Sequence, residues 1–297
     1  MDLRKILNCF DTVPISPNAT IIQLRHEEDD SPYQVWKIDS NNESYILKEA
    51  KGDEKYIYTS ASDLFMECVP LVYQITDVNE KTYILMEYVE GADLCRCNRK
   101  KLTLALDALI ALQKKTWEIS QTSYLKETFE NSLTRRQNRG KYLDDTLLEK
   151  AYDEFMIEYN STPKTLCHDD LLPFNIITTD NRAVLIDWEV SGMLPYPTSF
   201  VRLIAHTQES DGALFYMTEN DKKYAIDYYY ENLLKEKGIL YQEWINTVEY
   251  FLFYEYCEWI FVGNKYQVTD GEYYKKYFPL AKQQAAKILQ LNNKQSK

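Results

Sequence analysis

The sequence predicts an α+β fold in two lobes: a small N-terminal antiparallel sheet carrying one helix, and a larger, mostly helical C-terminal lobe. Two observations predict this division. Residues 20 to 89 contain short β-branched and alternating segments, interrupted by one stretch of helical composition. After Gly91, apolar residues recur at helical spacing through most of the chain. We therefore expect one lobe of residues 1–90 and another of residues 91–297, with a ligand-binding crevice between them.

The N-terminal lobe is predicted from period-two alternation and turn chemistry. The expected strands span residues 19–24, 33–38, 44–48, 69–76 and 82–89. Asn41 and Asn42 separate the second strand from the third and favour a hairpin turn. Residues 53–67 form the expected helix, because Ile57 and Leu64 fall on one apolar stripe.

The C-terminal lobe is predicted from apolar residues spaced three and four apart. Leu102, Leu106 and Leu109 mark a helix that ends near Trp117. One or two helices are expected over residues 123–160, and further helices over 221–237, 241–263 and 272–291. The last six residues are polar and should fray.

Composition limits the classes of function. The chain has 297 residues, 45% of them hydrophobic, which is typical of a globular protein. Its 46 acidic residues outnumber 34 basic ones and give a formal charge of -12, which disfavours nucleic acid as a partner. The same charge would favour a cationic ligand, although acidity also simply keeps a protein soluble.

Cysteines, histidines and hydropathy indicate the cellular setting. Six scattered cysteines and three histidines make a zinc site improbable and are typical of reduced cytosolic proteins. The N-terminus leads into no apolar signal region, and no stretch is apolar enough to span a membrane. We therefore expect a cytoplasmic protein without a membrane partner, and a monomer as the default for this architecture.

The segment from Leu166 to Glu189 carries the strongest chemical signal. It predicts a hairpin of strands 174–178 and 183–186, with a polar turn between them. Asn175 then begins one arm and Asp187 ends the other, so the two are neighbours across the ladder. Asp170 lies in the loop just before, two residues after His168.

Such a cluster suits phosphoryl transfer. That reaction depends on positioning and on neutralising the negative charge spread over the transferred group. Magnesium prefers oxygen ligands, which Asn175 and Asp187 supply. Asp170 can accept the proton of an attacking hydroxyl. A capped turn would explain an isolated His-x-Asp equally well, but not its combination with Asn175 and Asp187 on a hairpin.

This segment resembles the catalytic loop and metal-binding hairpin of the aminoglycoside phosphotransferase and choline kinase family, within the protein-kinase-like fold. Those enzymes have H-x-D-x-x-x-x-N followed by I-D-[FW]-[GE], and the chain has these letters at 168–175 and 186–189. The resemblance implies that Asp170 is the catalytic base and that Asn175 and Asp187 bind Mg²⁺. It implies that His168 braces the loop.

The same resemblance extends to the nucleotide side of the crevice. Lys48 matches the lysine that contacts the α- and β-phosphates of ATP or GTP, so the N-terminal lobe is expected to bind the nucleotide. Lys48 shares a strand face with Ile46. Glu54 is the expected partner of Lys48, and Glu67 is the alternative. An ordinary surface lysine is the competing interpretation.

The stretch from Tyr83 to Gly91 resembles the strand and hinge that hold the adenine base. By this resemblance Met86 lines the base pocket. The Glu87 carbonyl and the Val89 amide would hydrogen-bond the base. A buried strand that ends in a turn explains the same residues without a ligand.

Two features depart from the family. The loop at 25–32, which should cover the phosphates, has no glycine and four acids, which puts nucleotide affinity and the choice between ATP and GTP in question. Ser199 stands near the position where the family often has an aspartate that braces the catalytic loop, and an uncharged hydrogen bond there is weaker.

The acceptor side is expected in residues 249–260. Glu255, Glu258 and Trp259 lie three and four apart and share a helix face. Acids beside an aromatic ring can hold an ammonium group, so they are predicted to bind a cationic acceptor such as an aminoglycoside, choline or an amino alcohol. Core packing is the competing interpretation for each residue singly.

The sequence thus predicts an ATP-dependent phosphotransferase acting on a hydroxyl of a small, cationic molecule. The alternative is a catalytically degenerate relative that binds a nucleotide or partner without turnover. A metal phosphohydrolase at His168 lacks additional histidine ligands nearby. A protein kinase is disfavoured because no Ala-Pro-Glu segment follows Asp187.

Overall fold

The computed structural model describes residues 3–25, 30–64, 66–119 and 127–295, with side chains at 61–66 and 292–295 left out. The strands are β1 Thr20–Arg25, β2 Pro32–Ser40, β3 Glu43–Glu49, β4 Val72–Val78, β5 Lys81–Glu87, β6 Ala92–Asp93, β7 Lys164–His168, β8 Ile176–Thr178, β9 Ala183–Leu185 and β10 Ser191–Pro195. The α-helices are α1 Leu3–Leu7, α2 Glu54–Leu64, α3 Arg99–Thr116, α4 Phe129–Gly140, α5 Thr146–Ser161, α6 Pro197–Ala205, α7 Glu219–Tyr229, α8 Tyr241–Tyr266 and α9 Glu272–Gln295.

The first five strands form one antiparallel sheet in the order β1-β2-β3-β5-β4. Asn41 and Asn42 have φ of 54° and 64° in the β2–β3 turn, and Asn79 and Glu80 have 50° and 64° between β4 and β5. Two successive left-handed residues match the twist of a two-residue hairpin. The antiparallel sheet with α2, followed by a larger helical part, confirms the predicted α+β fold.

The two faces of this sheet are buried against different partners. Tyr45 and Leu47 of β3 belong to a cluster that α1 covers through Ile6 and Leu7. Ile46, on the opposite face, packs against the main core that continues into the helical part. The sequence did not predict α1, because five residues are too few to show a periodicity.

Helices α3 to α9 surround the main core. Leu102, Leu106 and Leu109 are fully buried on α3, as their spacing predicted. Side-chain caps begin several of these helices, and at α5 the Asp145 carboxylate accepts hydrogen bonds from the backbone N–H groups of Leu147 and Leu148. Since these elements enclose one continuous core, the helices hold the loops between them at fixed positions.

Three short strand pairs position the central loop. β8 pairs with β9 and with β6, and β7 pairs with β10. The first arm of the predicted hairpin is shorter than expected: Pro173–Asn175 form a 3₁₀ turn, and the strand begins at Ile176. Proline favours the start of a helical turn because its φ is fixed and it has no N–H to donate.

The sequence did not predict β6, β7, β10 or α6, and several strand and helix ends differ from the expected bounds. The predicted helical region 123–160 contains α4 and α5, and residues 120–126 lie outside the described part. α7 continues through a π-turn at Tyr230–Leu234 and a 3₁₀ turn at Lys235–Lys237. Within the described residues, no helix combines the length and the apolar character needed to cross a membrane.

Candidate active site

The loop between β7 and β8 is tied to the end of β9 by a closed set of hydrogen bonds. His168 Nε2 donates to the Ile186 carbonyl at 2.8 Å, and His168 Nδ1 accepts the Asp170 N–H at 3.2 Å. Asn175 Nδ2 donates to the Asp170 carbonyl at 2.8 Å, and the Ile186 N–H donates to the Asn175 carbonyl at 3.0 Å. The backbones of residues 168, 170, 175 and 186 are therefore joined directly.

His168 is held in its neutral form. It is fully buried and its ring packs 4.8 Å from the ring of Trp188. Burial lowers the pKa of His168 below its usual range. Because a carbonyl can only accept, Nε2 carries the proton and Nδ1 is free to accept from Asp170. This geometry suits a residue that braces the loop.

Asp187 lies two residues after the end of β9, and its own backbone is strained. Its φ is 64°, in the left-handed region that a residue other than glycine seldom adopts. Aspartate tolerates this region better than most residues, and such strain persists only where the surroundings enforce it. The Asp187 side chain is 46% exposed, and one of its oxygens contacts Lys48.

Lys48 links the sheet, α2 and Asp187. Its Nζ lies 2.5 Å from Glu54 Oε1 and 2.6 Å from Asp187 Oδ1. Burial alone would lower the Lys48 pKa, but attraction to the two carboxylates outweighs it and the pKa lies above its ordinary value. The ammonium group therefore stays charged in a largely buried position.

Of the two glutamates considered as partners of Lys48, Glu54 makes the contact. Glu54 is fully buried, and its second oxygen accepts the Lys51 N–H at 3.0 Å. Glu67 instead pairs with Lys115 on the surface of α3. Because Glu54 begins α2, the start of that helix and the position of the lysine are fixed together.

The predicted base-binding residues lie at the end of β5 and just beyond it. Met86 is opposite Ile46 in the β3–β5 ladder and belongs to the main core. The Glu87 side chain accepts from the Leu71 N–H at 2.7 Å and from Arg182 at 2.5 Å. Val89 is buried. The side chains of Met86 and Glu87 are thus engaged within the protein.

The two departures from the family have different outcomes. Ser199, near the start of α6, accepts the His168 N–H through Oγ at 2.9 Å, so it does contact the loop. The glycine-free segment at 25–32 falls mostly outside the described residues, because 26–29 are not among them. The predicted effect of its acids on the nucleotide stays a prediction.

Arg202 on α6 is a residue that the sequence interpretation did not assign. Its Nη2 lies 2.7 Å from Asp170 Oδ1, and its Nη1 lies 2.8 Å from Glu255 and 2.5 Å from Glu258. Attraction to these acids outweighs burial and holds the Arg202 pKa above its usual range. One guanidinium thus connects the loop acid to both glutamates of the predicted acceptor region.

The three residues predicted to hold the acceptor are largely engaged within the protein. Glu255 is buried and lies 3.2 Å from His206 Nε2 in addition to its contact with Arg202. Burial alone would raise the Glu258 pKa, but Arg202 and Arg139 outweigh it and lower the pKa to about 2. The Trp259 ring stacks on Tyr273, with ring centroids 4.2 Å apart.

Asp169, the other acid of the loop, is held by two arginines of α4. Arg135 Nη2 lies 2.9 Å and Arg136 Nη2 lies 2.7 Å from its oxygens. Arg136 is fully buried between the rings of Tyr159 and Tyr254. More than thirty residues separate each arginine from Asp169, and no local pattern in the sequence marks such a pair.

The donor set next to Asp187 is compatible with Mg²⁺. Asn175 uses its Nδ2 as a donor, which leaves its amide oxygen for a ligand, and Lys48 engages only one oxygen of Asp187. Carboxylate and amide oxygens are the hard ligands that Mg²⁺ takes alongside phosphates and water.

The fold is of the two-lobed, kinase-like class. A family model described as "Phosphotransferase enzyme family" matches residues 24–222, about two thirds of the chain. The chain belongs to this family and is a small-molecule phosphotransferase. A sequence search found no significant match among curated proteins.

Solved structures share the fold at low sequence identity. A choline/ethanolamine kinase family protein from Mesorhizobium loti is 12% identical, with a TM-score of 0.64 over 96% of this chain and 95% of that one. An amicoumacin kinase in complex with AMP-PNP and Ca²⁺ is 12% identical, with a TM-score of 0.61 over 97% and 93%. A thermostable mutant of an aminoglycoside phosphotransferase, in ternary complex with ADP and hygromycin B, is 13% identical, with a TM-score of 0.60 over 97% of both chains.

Proposed function

We propose that the protein transfers the γ-phosphoryl group of ATP to a hydroxyl group of a small molecule, with Asp170 as the base. The observation that carries this proposal is the hydrogen-bonded connection of Asp170, Asn175 and Ile186, which brings the loop acid beside Asp187. Family membership supports phosphoryl transfer, and the nucleotide complexes of two similar structures support ATP.

In the proposed reaction Asp170 accepts the proton of the acceptor hydroxyl as its oxygen attacks the γ-phosphorus. The bond from that phosphorus to the bridging oxygen breaks, and ADP leaves. Lys48 would hold the α- and β-phosphates, with Glu54 fixing its position. Mg²⁺ bound by Asn175 and Asp187 would neutralise phosphate charge. His168 and Ser199 keep the loop in place.

Met86, the Glu87 carbonyl and the Val89 amide are the proposed adenine site, in an N-terminal lobe of residues 1–90 whose partner lobe spans 91–297. GTP is the competing donor. All six cysteines are free thiols and four of them are buried, which supports the proposed cytoplasmic location. We propose a monomer, which light scattering tests.

The decisive experiment compares Asp170→Asn with Asp180→Asn. Asp180 lies on the exposed turn of the same hairpin and is a matched control. The assay measures magnesium-dependent phosphate release from ATP, first alone and then with each alcohol of a screen added. We expect Asp170→Asn to lower this rate by about 100-fold or more. Asp180→Asn should retain the rate of the unmodified protein.

Both variants should bind ATP, measured by titration, because neither residue is proposed to contact the nucleotide. Equal rates in Asp170→Asn and the unmodified protein would rule out the proposed base. If the unmodified protein and both variants bind ATP but none of them turns it over, the result would favour the degenerate alternative that only binds a nucleotide. The screen should contain amino alcohols, neutral alcohols and hydroxy acids, since the predicted cationic acceptor is one candidate among these.

A further inference from the structure

A cavity of about 790 Å³ lies between α4 and α8, next to the loop that carries Asp170. Arg202 lines this cavity and also contacts Asp170 at 2.7 Å. Arg202 thus lies between the cavity and Asp170, so a small molecule bound there would be one side chain away from Asp170. We therefore take the cavity as the candidate binding site of the acceptor. The side chains that line it then indicate which chemical groups the acceptor has.

Among the charged side chains that line this cavity, basic ones outnumber acidic ones. Arg135, Arg139, Arg202 and Lys265 line the cavity, and Glu258 is the one acid among the described residues that do. The side chains of Arg135 and Arg139 are 34% and 37% exposed, against 24% for Glu258. Both guanidinium side chains are therefore more exposed to an entering ligand than the Glu258 carboxylate that lines the same cavity.

The acids that pair with these arginines include Glu127 and Asp170, whose side chains are 21% and 40% exposed, and two that are nearly buried. The side chains of Asp169 and Glu255 are 12% and 6% exposed, and they contact Arg135 and Arg202 respectively from the protein side. Arg139 reaches Glu258 at 2.6 Å and the Tyr254 hydroxyl at 2.6 Å. A cationic ligand would have to displace an arginine to reach Glu258, whereas an anion can use the donors that the guanidinium groups still present.

Four aromatic residues also line the cavity, beside Asn131, Thr134, Asn138 and Val262. Lys265 lies 6.0 Å and 5.0 Å from the ring centroids of Tyr142 and Tyr266, and all three residues line the cavity. Trp259 lines it as well. Tyrosine and tryptophan rings supply flat apolar surface. The lining thus combines basic groups with aromatic surface, and at Lys265 the two are in contact.

We propose that the acceptor is an alcohol that carries an anionic group, a carboxylate or a phosphate, bound by Arg135, Arg139 and Lys265, together with an apolar portion that packs on the aromatic side chains. This inference rests on the proposed function for the position of the hydroxyl near Asp170. It assigns a substrate class opposite in charge to the one expected from Glu255 and Glu258.

The test is calorimetric titration of the whole protein with matched probes that share a benzyl group. Phenyllactate and benzyl phosphate are anionic, phenyllactamide is neutral and phenylalaninol is cationic. We expect at least one of the two anions to bind about tenfold more tightly than phenyllactamide, because it can form charge-assisted hydrogen bonds. Phenylalaninol should bind most weakly. The tighter anion identifies carboxylate or phosphate as the group.

Variants locate the preference. Arg139→Gln should remove most of the preference for anions over the amide. Lys265→Gln should reduce that preference, and Lys265 is exposed, so the change carries little risk to folding. Lys150→Gln, an exposed lysine on α5, is the matched control and should leave it unchanged. Absence of anion binding, tighter binding of phenylalaninol, or a preference that survives both cavity variants would overturn the proposal.

These titrations need no turnover, so they are independent of the proposed function. Asp170-dependent ATP hydrolysis without an anion preference would refute only the acceptor class. An anion preference without hydrolysis would refute the phosphotransferase mechanism and leave the binding site standing.

Discussion

At the scale of single residues, Glu54 has no access to solvent and depends on Lys48 for its charge balance. An ion pair of this kind is costly to break from one side, because the remaining charge is buried without a partner. The pair also fixes the ammonium group that is proposed to hold phosphates. Stability and function therefore depend on the same contact.

We expect Lys48→Met to destabilise the protein by about 3–5 kcal/mol, since it leaves Glu54 buried and unpaired. The double variant Lys48→Met/Glu54→Gln should recover most of that loss, because the buried charge is gone, while ATP turnover stays low in both. Urea unfolding and a steady-state ATP assay measure the two effects. Equal stability of the single and double variants would contradict the interpretation.

Residues joined by short-range spacing or matched to a family motif could be predicted, and other residues joined across the fold could not. His168, Asp170, Asn175 and Asp187 lie within twenty residues on one hairpin, so their spacing alone brings them together. Arg202 reaches Asp170 and Glu258 from 32 and 56 positions away. Such pairs leave no local pattern in the sequence. The helical spacing of Glu255 and Glu258 therefore predicted a site for a cation and gave no sign of their contacts with Arg202.

At the scale of secondary-structure elements, the turn before α2 touches the segment after β9. Gly52 has φ of 50°, and a Cβ placed there would lie 2.0 Å from the Glu189 carbonyl oxygen. Only glycine permits both the left-handed backbone and this close approach. The contact sets the distance between the helix that begins with Glu54 and the segment that contains Asp187.

We expect Gly52→Ala to destabilise the protein by about 1–3 kcal/mol more than Gly238→Ala does, from the clash with the backbone. Gly238 is the matched control, because its φ of 76° is also left-handed but its Cβ would meet open space. Gly52→Ala should also raise the KM for ATP by displacing Glu54. Thermal unfolding and kinetics measure both, and similar behaviour of the two variants would exclude the clash.

Elements with a clear period or a turn signal were predicted, and the irregular ones were not. The strands of the main sheet follow from alternation and from the paired left-handed residues in the turns. The 3₁₀ turn at Pro173–Asn175 and the short strands β7 and β10 depend on contacts distant in sequence. β10 contains Gly192 and Pro195, which are unusual in strands, so its sequence hides its structure.

At the scale of the whole molecule, folding buries groups that titrate at alkaline pH. Burial raises the pKa of the Cys68 and Cys167 thiols to about 12. An unfolded chain releases these protons near pH 9, well before the folded one. Stability is therefore complete below pH 9 and is lost as the pH rises from there toward 12.

Between pH 9 and pH 10 each such thiol should reduce the free energy of unfolding by about 1 kcal/mol. We expect Cys68→Ala to flatten the dependence of stability on pH in that range, whatever it does to stability at pH 7. Cys9→Ala is the control, because Cys9 is exposed. Urea midpoints from pH 7 to pH 10 measure the slope, and identical slopes in both variants would disprove the assignment.

The shared guanidinium of Arg202 has a thermodynamic consequence. It divides its hydrogen bonds between Asp170 on one side and Glu255 and Glu258 on the other. A ligand that draws this group toward the cavity loosens its hold on Asp170, and any event at Asp170 that strengthens the hold weakens that ligand by the same factor. If the proposed function holds, occupancy of the cavity and the state of Asp170 would be reciprocally linked through a single side chain, and cooperativity between the two proposed substrates would need no movement of one lobe against the other.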